Sequence, residues 1–567
     1  MTNLARRLAV ARGDEPADVV VRGGRVLCVF TREWLDTDVA IADGYVAGLG
    51  DYDGLEEVAA TGRYVVPGFV DAHMHLESSK LLVDEFARLV LPLGTTAVVA
   101  DPHEIANVLG TDGVHWLADL CHGLPLDVYF MASACVPASE FESPRRALLP
   151  GDLEGLLRRR RVLGLAEMMN FPGVVAGDEN ELEKLRLDGA THVDGHAPGL
   201  GGKALNAYVA AGIRSDHEAI TLEEGRERLR AGMWLLIREA TGARNLEALA
   251  PLLREYGPSR IAFCTDDREP EHIADEGHVN SMIRAAVAAG VTPEDALVAA
   301  TLSPALWHRL GEHGAIAPGY KADLVLLPDL ERFEPELVLK RGTPVGEIPR
   351  PEVPEWVKHT VRVGTVTGED FALPAAGRGD RVRVIGVVRD QIVTDALVEG
   401  APLSDGRIAA DPGRDLAKIA VVERHLGTGR IGLGLVRGFG LERGALASTV
   451  AHDAHNIVVV GMSDEDMAHA IGRLQQLGGG VVVVVDGRVR AELPLPVAGL
   501  LSTAPLADVV AASRECVEAA HALGCPLPSP FQTLAFLALS VVPSLKITDR
   551  GLVDVDGFRL VPLEAGA

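Results

Sequence analysis

The sequence has few of the features that mark secreted, membrane or thiolate-metal proteins. Its six cysteines are scattered and none forms a C-x-x-C pair, which excludes a disulfide framework or a thiolate zinc site and favours a reducing cytoplasm. The longest apolar run, 533–545, is too short to span a bilayer and is interrupted by Pro543. The first residues contain arginines but no apolar core of the kind that a signal peptide has.

Positive charge is also scarce. The 567 residues include 54 Lys and Arg against 80 Asp and Glu, which gives a net charge of −26. Such an acidic chain repels phosphate backbones, so we expect no nucleic acid partner. Hydrophobic residues make up 47% of the chain, which is enough to form ordinary cores and excludes wholesale disorder. These features together favour a cytoplasmic enzyme that acts on a small molecule.

The pattern of apolar runs changes several times along the chain. Gly23-Gly24 and Asp43-Gly44 separate short β-rich runs near the start and are typical of hairpin turns. The predicted domains are a composite β-sandwich domain from 1–64 and 314–330, a barrel from 65–313, a connector from 331–381 rich in proline and charge, and a C-terminal α+β domain from 382–567.

Eight β-rich runs alternate with helix-like stretches in the second of these segments. They are 65–73, 95–100, 128–132, 162–166, 190–193, 212–214, 233–237 and 261–264. Eight β/α repeats in about 250 residues predict a closed, TIM-like (β/α)₈ barrel of the α/β class. Active sites of such barrels lie at the C-terminal ends of the strands.

Histidines and carboxylates follow several of these strand ends. His73 and His75 alternate on the first strand, so both imidazoles face the same side. The others are Glu167 after strand four, His196 after strand five, His217 after strand six, and Asp266 with Asp267 after strand eight. Imidazoles and carboxylates suit borderline divalent cations. We predict a metallo-hydrolase centre with His73, His75 and Asp266 on one metal, His196 and His217 on the other, and Glu167 bridging them.

Two cations held in this way would bind a water between them and lower its pKa toward neutrality. Asp266 would accept a proton from that water and pass it to the leaving group. Asp267 is the alternative, because the sequence does not say which of the two points inward. Further candidates for substrate binding or proton transfer at the rim are Glu77, Asp101, His103, Glu104, Arg238 and Glu239. His452 and His455 form a similar pair in the C-terminal domain, where a structural role is the more common one.

These residues resemble the amidohydrolase superfamily and, within it, the adenine deaminase family. The resemblance rests on PGFVDAHMH, HMHLESS, VVADPHEIANVLG, DGHAPGLGGKALNAYVAAGIRSDHE and CTDDREP, and on GFGLERGALASTVAHDAHNIVVVG in the C-terminal domain. It implies hydrolysis of adenine at C6 to hypoxanthine and ammonia in purine salvage. It also implies a two-metal centre, for which Mn²⁺ is the first expectation, Fe²⁺ the alternative and Zn²⁺ the least favoured of the three. Many relatives bridge the metals with a carbamylated lysine, for which Glu167 supplies a carboxylate directly.

One position departs from related deaminases. Cytosine and adenosine deaminases carry a glutamate three residues after the histidine of strand five, where this chain has Gly199. The acid that protonates the ring is therefore open between Glu77 and Glu104. Two other functions also stay open. In the first, the enzyme acts on another aminopurine or on a cyclic amide, since metal ligands do not specify a ring. In the second, the chain is a non-catalytic interaction protein on a decayed barrel, in which metal ligands should be missing. We expect adenine as the small-molecule partner, no membrane partner, and a homo-oligomer.

Overall fold

The structure is a computed structural model that describes residues 4–374, 381–389, 391–404 and 406–565. At its centre are eight parallel strands, which we call barrel strands 1 to 8. They are Phe69–Met74, Thr95–Ala100, Asp127–Ala132, Val162–Met168, Val193–Gly195, Ser215–Asp216, Trp234–Arg238 and Ile261–Cys264. The predicted (β/α)₈ barrel is thereby confirmed, with sheet domains on either side of it in the sequence.

Hydrogen bonding divides the barrel wall into two arcs. Barrel strands 1 to 5 form one parallel sheet, and barrel strands 6 to 8 form another. Strands 8 and 1 meet through a parallel bridge between Met74 and Asp266, where Asp266 N donates to the carbonyl of His73 at 3.0 Å and His75 N donates to the carbonyl of Asp266 at 3.3 Å. This closure places the end of strand 8 directly beside the two histidines of strand 1.

Barrel strands 5 and 6 lie a few residues later than the apolar runs at 190–193 and 212–214 predict. Their residues are mostly polar, yet they are buried and bonded to one another. Ser215 Oγ donates to Asp194 Oδ1 at 2.9 Å, and Trp307 Nε1 donates to the same oxygen at 2.9 Å. Because polar pairs replace apolar contacts here, the hydrophobic pattern does not mark these strands.

Helices pack around the outside of the barrel. Between its strands they are Val83–Val90, His103–Leu109, Thr111–Leu120, Pro150–Leu157, Phe171–Ala176, Glu179–Leu185, Gly202–Ala210, Leu222–Arg230 and Leu246–Tyr256. After strand 8 they are Pro270–Glu276, Val279–Ala288, Pro293–Ala299 and Leu302–Trp307. A capping box begins the helix Leu222–Arg230, since Glu224 N donates to Thr221 Oγ1 at 3.3 Å and Thr221 N donates to Glu224 Oε2 at 3.0 Å. Among the described helices, none combines the length and apolarity needed to cross a membrane.

Residues from both sides of the barrel form one eight-stranded sheet. Its strands are Ala17–Cys28, Glu33–Ala42, Tyr45–Leu49, Gly54–Ala59, Tyr64–Pro67, Leu324–Leu327, Leu337–Lys340 and Thr343–Pro344. The last two fall within 331–381, which composition predicts as a connector. They join the sheet instead because Leu339 and its neighbours are apolar and buried against Leu324.

Gly23-Gly24 does not form the predicted hairpin turn. Both glycines lie inside the strand Ala17–Cys28, where the pairing register shifts between Val21 and Gly24. A Cβ on Gly24 would lie 2.5 Å from Val65 Cγ2, so the close approach of a neighbouring strand requires glycine. Asp43-Gly44 does form a turn, between Glu33–Ala42 and Tyr45–Leu49.

The C-terminal domain is built on a second eight-stranded sheet. In spatial order its strands are Thr394–Gly400, Arg381–Val387, Ile431–Arg437, Leu416–Val422, Ile457–Gly461, Ala445–Ser448, Gly480–Val485 and Arg488–Pro494. Helices Asp464–Leu477, Leu506–Ala522 and Pro530–Phe536 accompany it, together with a small sheet of Leu545–Thr548, Gly551–Asp554 and Arg559–Val561. The domain contacts the barrel mouth, where Ser502 N donates to the carbonyl of Lys80 at 2.8 Å and Gln532 Nε2 donates to the carbonyl of Asp267 at 3.0 Å.

Buried charges join the first sheet to the opposite end of the barrel. Lys340 Nζ lies 2.9 Å from Asp127 Oδ2 and 2.6 Å from Asp323 Oδ2, and it donates to the carbonyl of Thr96 at 3.1 Å. Lys321 Nζ lies 3.2 Å from the same Asp127 oxygen. Burial alone would raise the pKa of Asp127, but Lys340 and Lys321 outweigh it and hold that pKa below its usual range. This network therefore stabilises the junction only while its carboxylates are ionised.

We expect Lys340→Met to lower the free energy of unfolding by about 3 kcal/mol at pH 7, because it removes the cation that two buried carboxylates, Asp127 and Asp323, share. Since the pKa of Asp127 is lowered in the folded protein, this difference is present above the ordinary Asp pKa of about 3.9 and shrinks as the pH falls below it. Denaturant unfolding across this pH range measures both effects. Lys203→Met, at an exposed position, is the control, and equal stability of the two variants would contradict the prediction.

Candidate metal centre

The six side chains predicted as metal ligands converge at the C-terminal mouth of the barrel. Each is buried, with at most 4% of its surface exposed. They are His73, His75, Glu167, His196, His217 and Asp266, which lie on or directly after barrel strands 1, 4, 5, 6 and 8. The parallel strands bring these ends together at one rim of the barrel, which is the reason that distant positions in the sequence become neighbours.

Glu167 lies between two pairs of imidazoles. Its Oε1 is 3.8 Å from His73 Nε2 and 3.5 Å from His75 Nε2. Its Oε2 is 2.9 Å from His196 Nδ1 and 3.3 Å from His217 Nε2. Each oxygen of one carboxylate thus faces a different pair of histidines.

Asp266 faces the first of these pairs. Its Oδ1 is 3.0 Å from His75 Nε2 and 3.5 Å from His73 Nε2, and its Oδ2 is 3.1 Å from Arg238 Nη1. The backbone of Asp266 has a φ of 54°, which turns its side chain toward strand 1. The neighbouring Asp267 accepts from Ser78 Oγ, and its Oδ1 lies 3.9 Å from His452 Nε2, so the two aspartates have different surroundings.

The donor atoms of this cluster fit divalent cations. His73 Nε2, both ring nitrogens of His196 and His217 Nδ1 are buried without a hydrogen-bond partner. Burial alone would raise the pKa of Glu167, but His196 and His217 outweigh it and hold that pKa well below its usual range, so the carboxylate is ionised. The ligand atoms of His73, His75 and Asp266 lie within 4.8 Å of one another, as do those of His73, Glu167 and His217. Unshared imidazole nitrogens beside ionised carboxylates are the ligands that borderline divalent metals take.

A buried ion pair fixes the positions of His196 and His217. Arg228 is fully buried, and its Nε donates to Asp216 Oδ2 at 2.9 Å while its Nη2 donates to the carbonyl of Ala197 at 2.8 Å. Asp216 Oδ1 accepts from Ala197 N at 3.0 Å. Since Ala197 follows His196 and Asp216 precedes His217, the pair ties the two strand ends together.

Asp101 and His103 lie on the side of the cluster formed by barrel strand 2. Asp101 accepts from Ser133 Oγ at 2.6 Å, and its Oδ2 is 3.1 Å from His103 Nδ1. The Asp101 carbonyl is 3.1 Å from His75 Nδ1. Asp101 therefore holds two imidazoles from behind, whereas His103 itself lines the cavity above the cluster.

Glu77 and Glu104 do not line this cavity. Glu77 Oε1 accepts from Ile105 N at 3.0 Å, and Glu104 Oε1 accepts from Ser78 Oγ at 3.0 Å. Burial, together with the nearby Glu104, raises the pKa of Glu77 to about 8. Ser78 Oγ also hydrogen-bonds to Asp267 Oδ1, and Asp267 does line the cavity. The two glutamates thus reach the cavity only through other side chains.

Glu239 lies outside the site for which the sequence proposes it. Arg238 points into the barrel mouth, so the next residue on the strand faces the other way. Glu239 Oε1 accepts from Leu246 N at 2.7 Å, and Glu239 lines a separate outer pocket with Arg244. The prediction that Glu239 binds substrate in this cavity is therefore wrong, whereas Arg238 does line the cavity.

The cavity above the cluster is also lined by residues that the sequence does not predict. Glu218 is one of them, and it pairs with Arg238 Nη2 at 3.1 Å through Oε2. Its position directly after His217 is a signal that could have found it. The C-terminal domain supplies a further wall, which consists of Ile392, His452, Asp453, Phe536 and Leu539. His452 and Asp453 lie in the string VAHDAHN, which is a local sequence signal, whereas Ile392, Phe536 and Leu539 carry no motif.

Comparison with known proteins agrees with this geometry. The model of the amidohydrolase family matches residues 64–345, and the model of the adenine deaminase C-terminal domain matches residues 391–559. The first match spans the barrel and the strands that follow it, and the second spans most of the second large sheet. The barrel, with its rim of histidines and carboxylates, is accordingly that of an amidohydrolase.

Full-length relatives define the family further. "Adenine deaminase 2" of Carboxydothermus hydrogenoformans is 44% identical over 98% of each chain. "Adenine deaminase" of Archaeoglobus fulgidus is 47% identical and covers 99% of this chain and 98% of its own length. A crystal structure of an adenine deaminase is 15% identical with a TM-score of 0.43, over 55% of this chain and 89% of that one. On the two full-length relatives, the chain belongs to the adenine deaminase family, which confirms the resemblance seen in its sequence.

We expect Arg228→Met to weaken divalent metal retention about 10- to 100-fold, because His196 and His217 lose the ion pair that positions them. Metal analysis after titration with a competing chelator measures this effect. Arg230→Met, on the same helix but exposed, should retain metal as the unmodified protein does. Equal metal retention in both variants would show that the buried pair does not position the ligands.

Proposed function

We propose that this chain hydrolyses adenine to hypoxanthine and ammonia at a centre of two divalent cations. The observation that carries the proposal is the position of Glu167, with one oxygen facing each pair of imidazoles. Above it lies a cavity that is lined by side chains of both the barrel and the C-terminal domain. The full-length relatives named adenine deaminase support this substrate over other rings.

The proposed ligands divide into two sets. His73, His75 and Asp266 would hold one cation, His196 and His217 would hold the other, and Glu167 lies where its carboxylate could serve both. When bound, the two cations supply the Lewis acidity that makes water a nucleophile near neutral pH. We propose Mn²⁺ as the metal, Fe²⁺ as the alternative and Zn²⁺ as the least favoured of the three. The proposed ligands are nitrogen and oxygen donors only and include no soft thiolate.

Asp266 is the proposed proton carrier. Burial alone would raise its pKa, but His73, His75 and Arg238 outweigh it and hold that pKa well below its usual range. The carboxylate is therefore ionised at neutral pH and able to accept a proton from the attacking water. Arg238 Nη1 holds Oδ2 at 3.1 Å, which keeps the other oxygen directed at the cluster. From there Asp266 delivers the proton to the exocyclic amino group, which leaves as ammonia.

Glu104 is the proposed source of the proton for the purine ring. Burial raises the pKa of Glu104, which favours the protonated form that a donor needs. Ser78 Oγ lies 3.0 Å from Glu104 Oε1 and also hydrogen-bonds to Asp267. We propose that protonated Glu104 donates its proton to Ser78 Oγ while the Ser78 hydroxyl gives its own proton to Asp267, which delivers it to the ring nitrogen at the cavity surface. Glu77 lies beside Glu104, and burial together with that neighbour raises the pKa of Glu77 to about 8, so it does not compete for this proton as an ionised base at neutral pH.

The direct test is ammonia release from adenine by protein loaded with Mn²⁺, with metal content measured on the same preparation. We expect turnover of adenine and slower or no turnover of other aminopurines and cyclic amides. If the protein turned over a cyclic amide but not adenine, its substrate class would be the cyclic amides. No turnover of any of these by fully loaded protein would overturn the proposal.

We expect Asp266→Asn to lower kcat for adenine by about 10²- to 10⁴-fold, because the amide cannot accept the proton. The variant keeps the shape of the side chain, so its circular dichroism should match that of the parent. Asp188→Asn, at an exposed position, is the matched control. Near-normal kcat in the Asp266 variant would move the proton-transfer role to Asp267.

A further inference from the structure

One wall of the cavity comes entirely from the C-terminal domain. Ile392, Phe536 and Leu539 supply its apolar part, and His452 and Asp453 supply its polar part. The His452 ring stacks on Phe536, with ring centroids 4.5 Å apart and an interplanar angle of 12°. A flat apolar surface beside two polar groups suits a flat heterocycle that carries hydrogen-bonding groups on its edge.

Asp453 lies across the His103 ring from Glu167. His103 Nδ1 is 3.6 Å from Glu167 Oε1, and His103 Nε2 is 3.5 Å from Asp453 Oδ1. The His103 ring therefore lies between the Glu167 and Asp453 carboxylates and is in contact with both. A purine that presents C6 to the cluster at Glu167 has its imidazole half on the side away from C6, toward Asp453.

Asp453 is fixed in position but has a free acceptor atom. The residue is 1% exposed, and its Oδ2 is buried without a hydrogen-bond partner. The backbone beside it is held in place, since the Ala454 carbonyl is 2.6 Å from His425 Nε2 and Asn456 Nδ2 donates to the carbonyl of Ser143 at 3.0 Å. A buried carboxylate oxygen without a donor costs free energy, which a ligand N–H would recover.

We infer that the C-terminal domain binds the imidazole half of the purine and that Asp453 accepts the N–H that free adenine carries at N9. A nucleoside has a sugar at N9, so it lacks this donor and its sugar would meet the wall of Phe536 and Leu539. The C-terminal domain thereby selects the free base over the nucleoside. This inference rests on the proposed function, because it takes adenine as the substrate.

The test compares kcat/KM for adenine and for 9-methyladenine, which lacks the N9 proton. A hydrogen bond to a charged acceptor corresponds to a preference of about 10- to 100-fold, so we expect Mn²⁺-loaded wild-type protein to favour adenine by at least that factor. Asp453→Ala should lower kcat/KM for adenine by about the same factor, chiefly through KM. It should leave 9-methyladenine nearly unchanged, so the ratio of the two substrates falls.

Two further variants make the result decisive. Asp556→Ala, at an exposed position in the same domain, should keep the wild-type ratio. Asp453→Leu keeps about the volume of the side chain and has no acceptor atom, so the ratio can still be measured if the alanine variant loses metal or fails to fold. An equal loss for both substrates, or an unchanged ratio in a metal-loaded Asp453 variant that still acts on adenine, would overturn this inference alone. Wild-type protein that does not act on adenine would overturn the proposed function as well.

Discussion

A buried negative charge is the constraint around which the centre of this molecule is built. Glu167 is almost fully buried, and an ionised carboxylate in such a place needs compensating partners. Four imidazoles surround it, two for each oxygen. These imidazoles come from barrel strands 1, 5 and 6, which must therefore end at the same level. The closure beside Asp266 and the buried Arg228–Asp216 pair both serve this alignment.

Apolar patterning was sufficient for most of the barrel and insufficient where buried polar pairs replace apolar contacts. Barrel strands 2 and 8 lie where their apolar runs predict, whereas strands 5 and 6 are displaced because Asp194 and Ser215 bond to each other. The two glycines at 23 and 24 form a bulge, which a local sequence pattern does not distinguish from a hairpin turn. The strand Leu337–Lys340 is not predicted, because the residues that follow it are rich in proline and charge and make the segment resemble a connector.

The candidate site shows the same division. Residues at the ends of barrel strands can be predicted from sequence, because the topology of the barrel determines which ends meet. The orientation of Asp266 and Asp267 cannot be predicted from sequence, since it depends on the backbone angle φ of Asp266. The wall around Phe536 cannot be predicted from sequence either, because the C-terminal domain brings it to the barrel. The expected homo-oligomer and the expected cytoplasmic location stay predictions.

The position of the cavity between two domains has a consequence for how such an enzyme can diverge. The groups that would activate water belong to the barrel, and one wall of the surface that would recognise the ring belongs to the other domain. Changes near Ile392 or Leu539 can therefore alter which ring is accepted without disturbing the ligand histidines. Reactivity and selectivity are in this way open to separate variation within one chain.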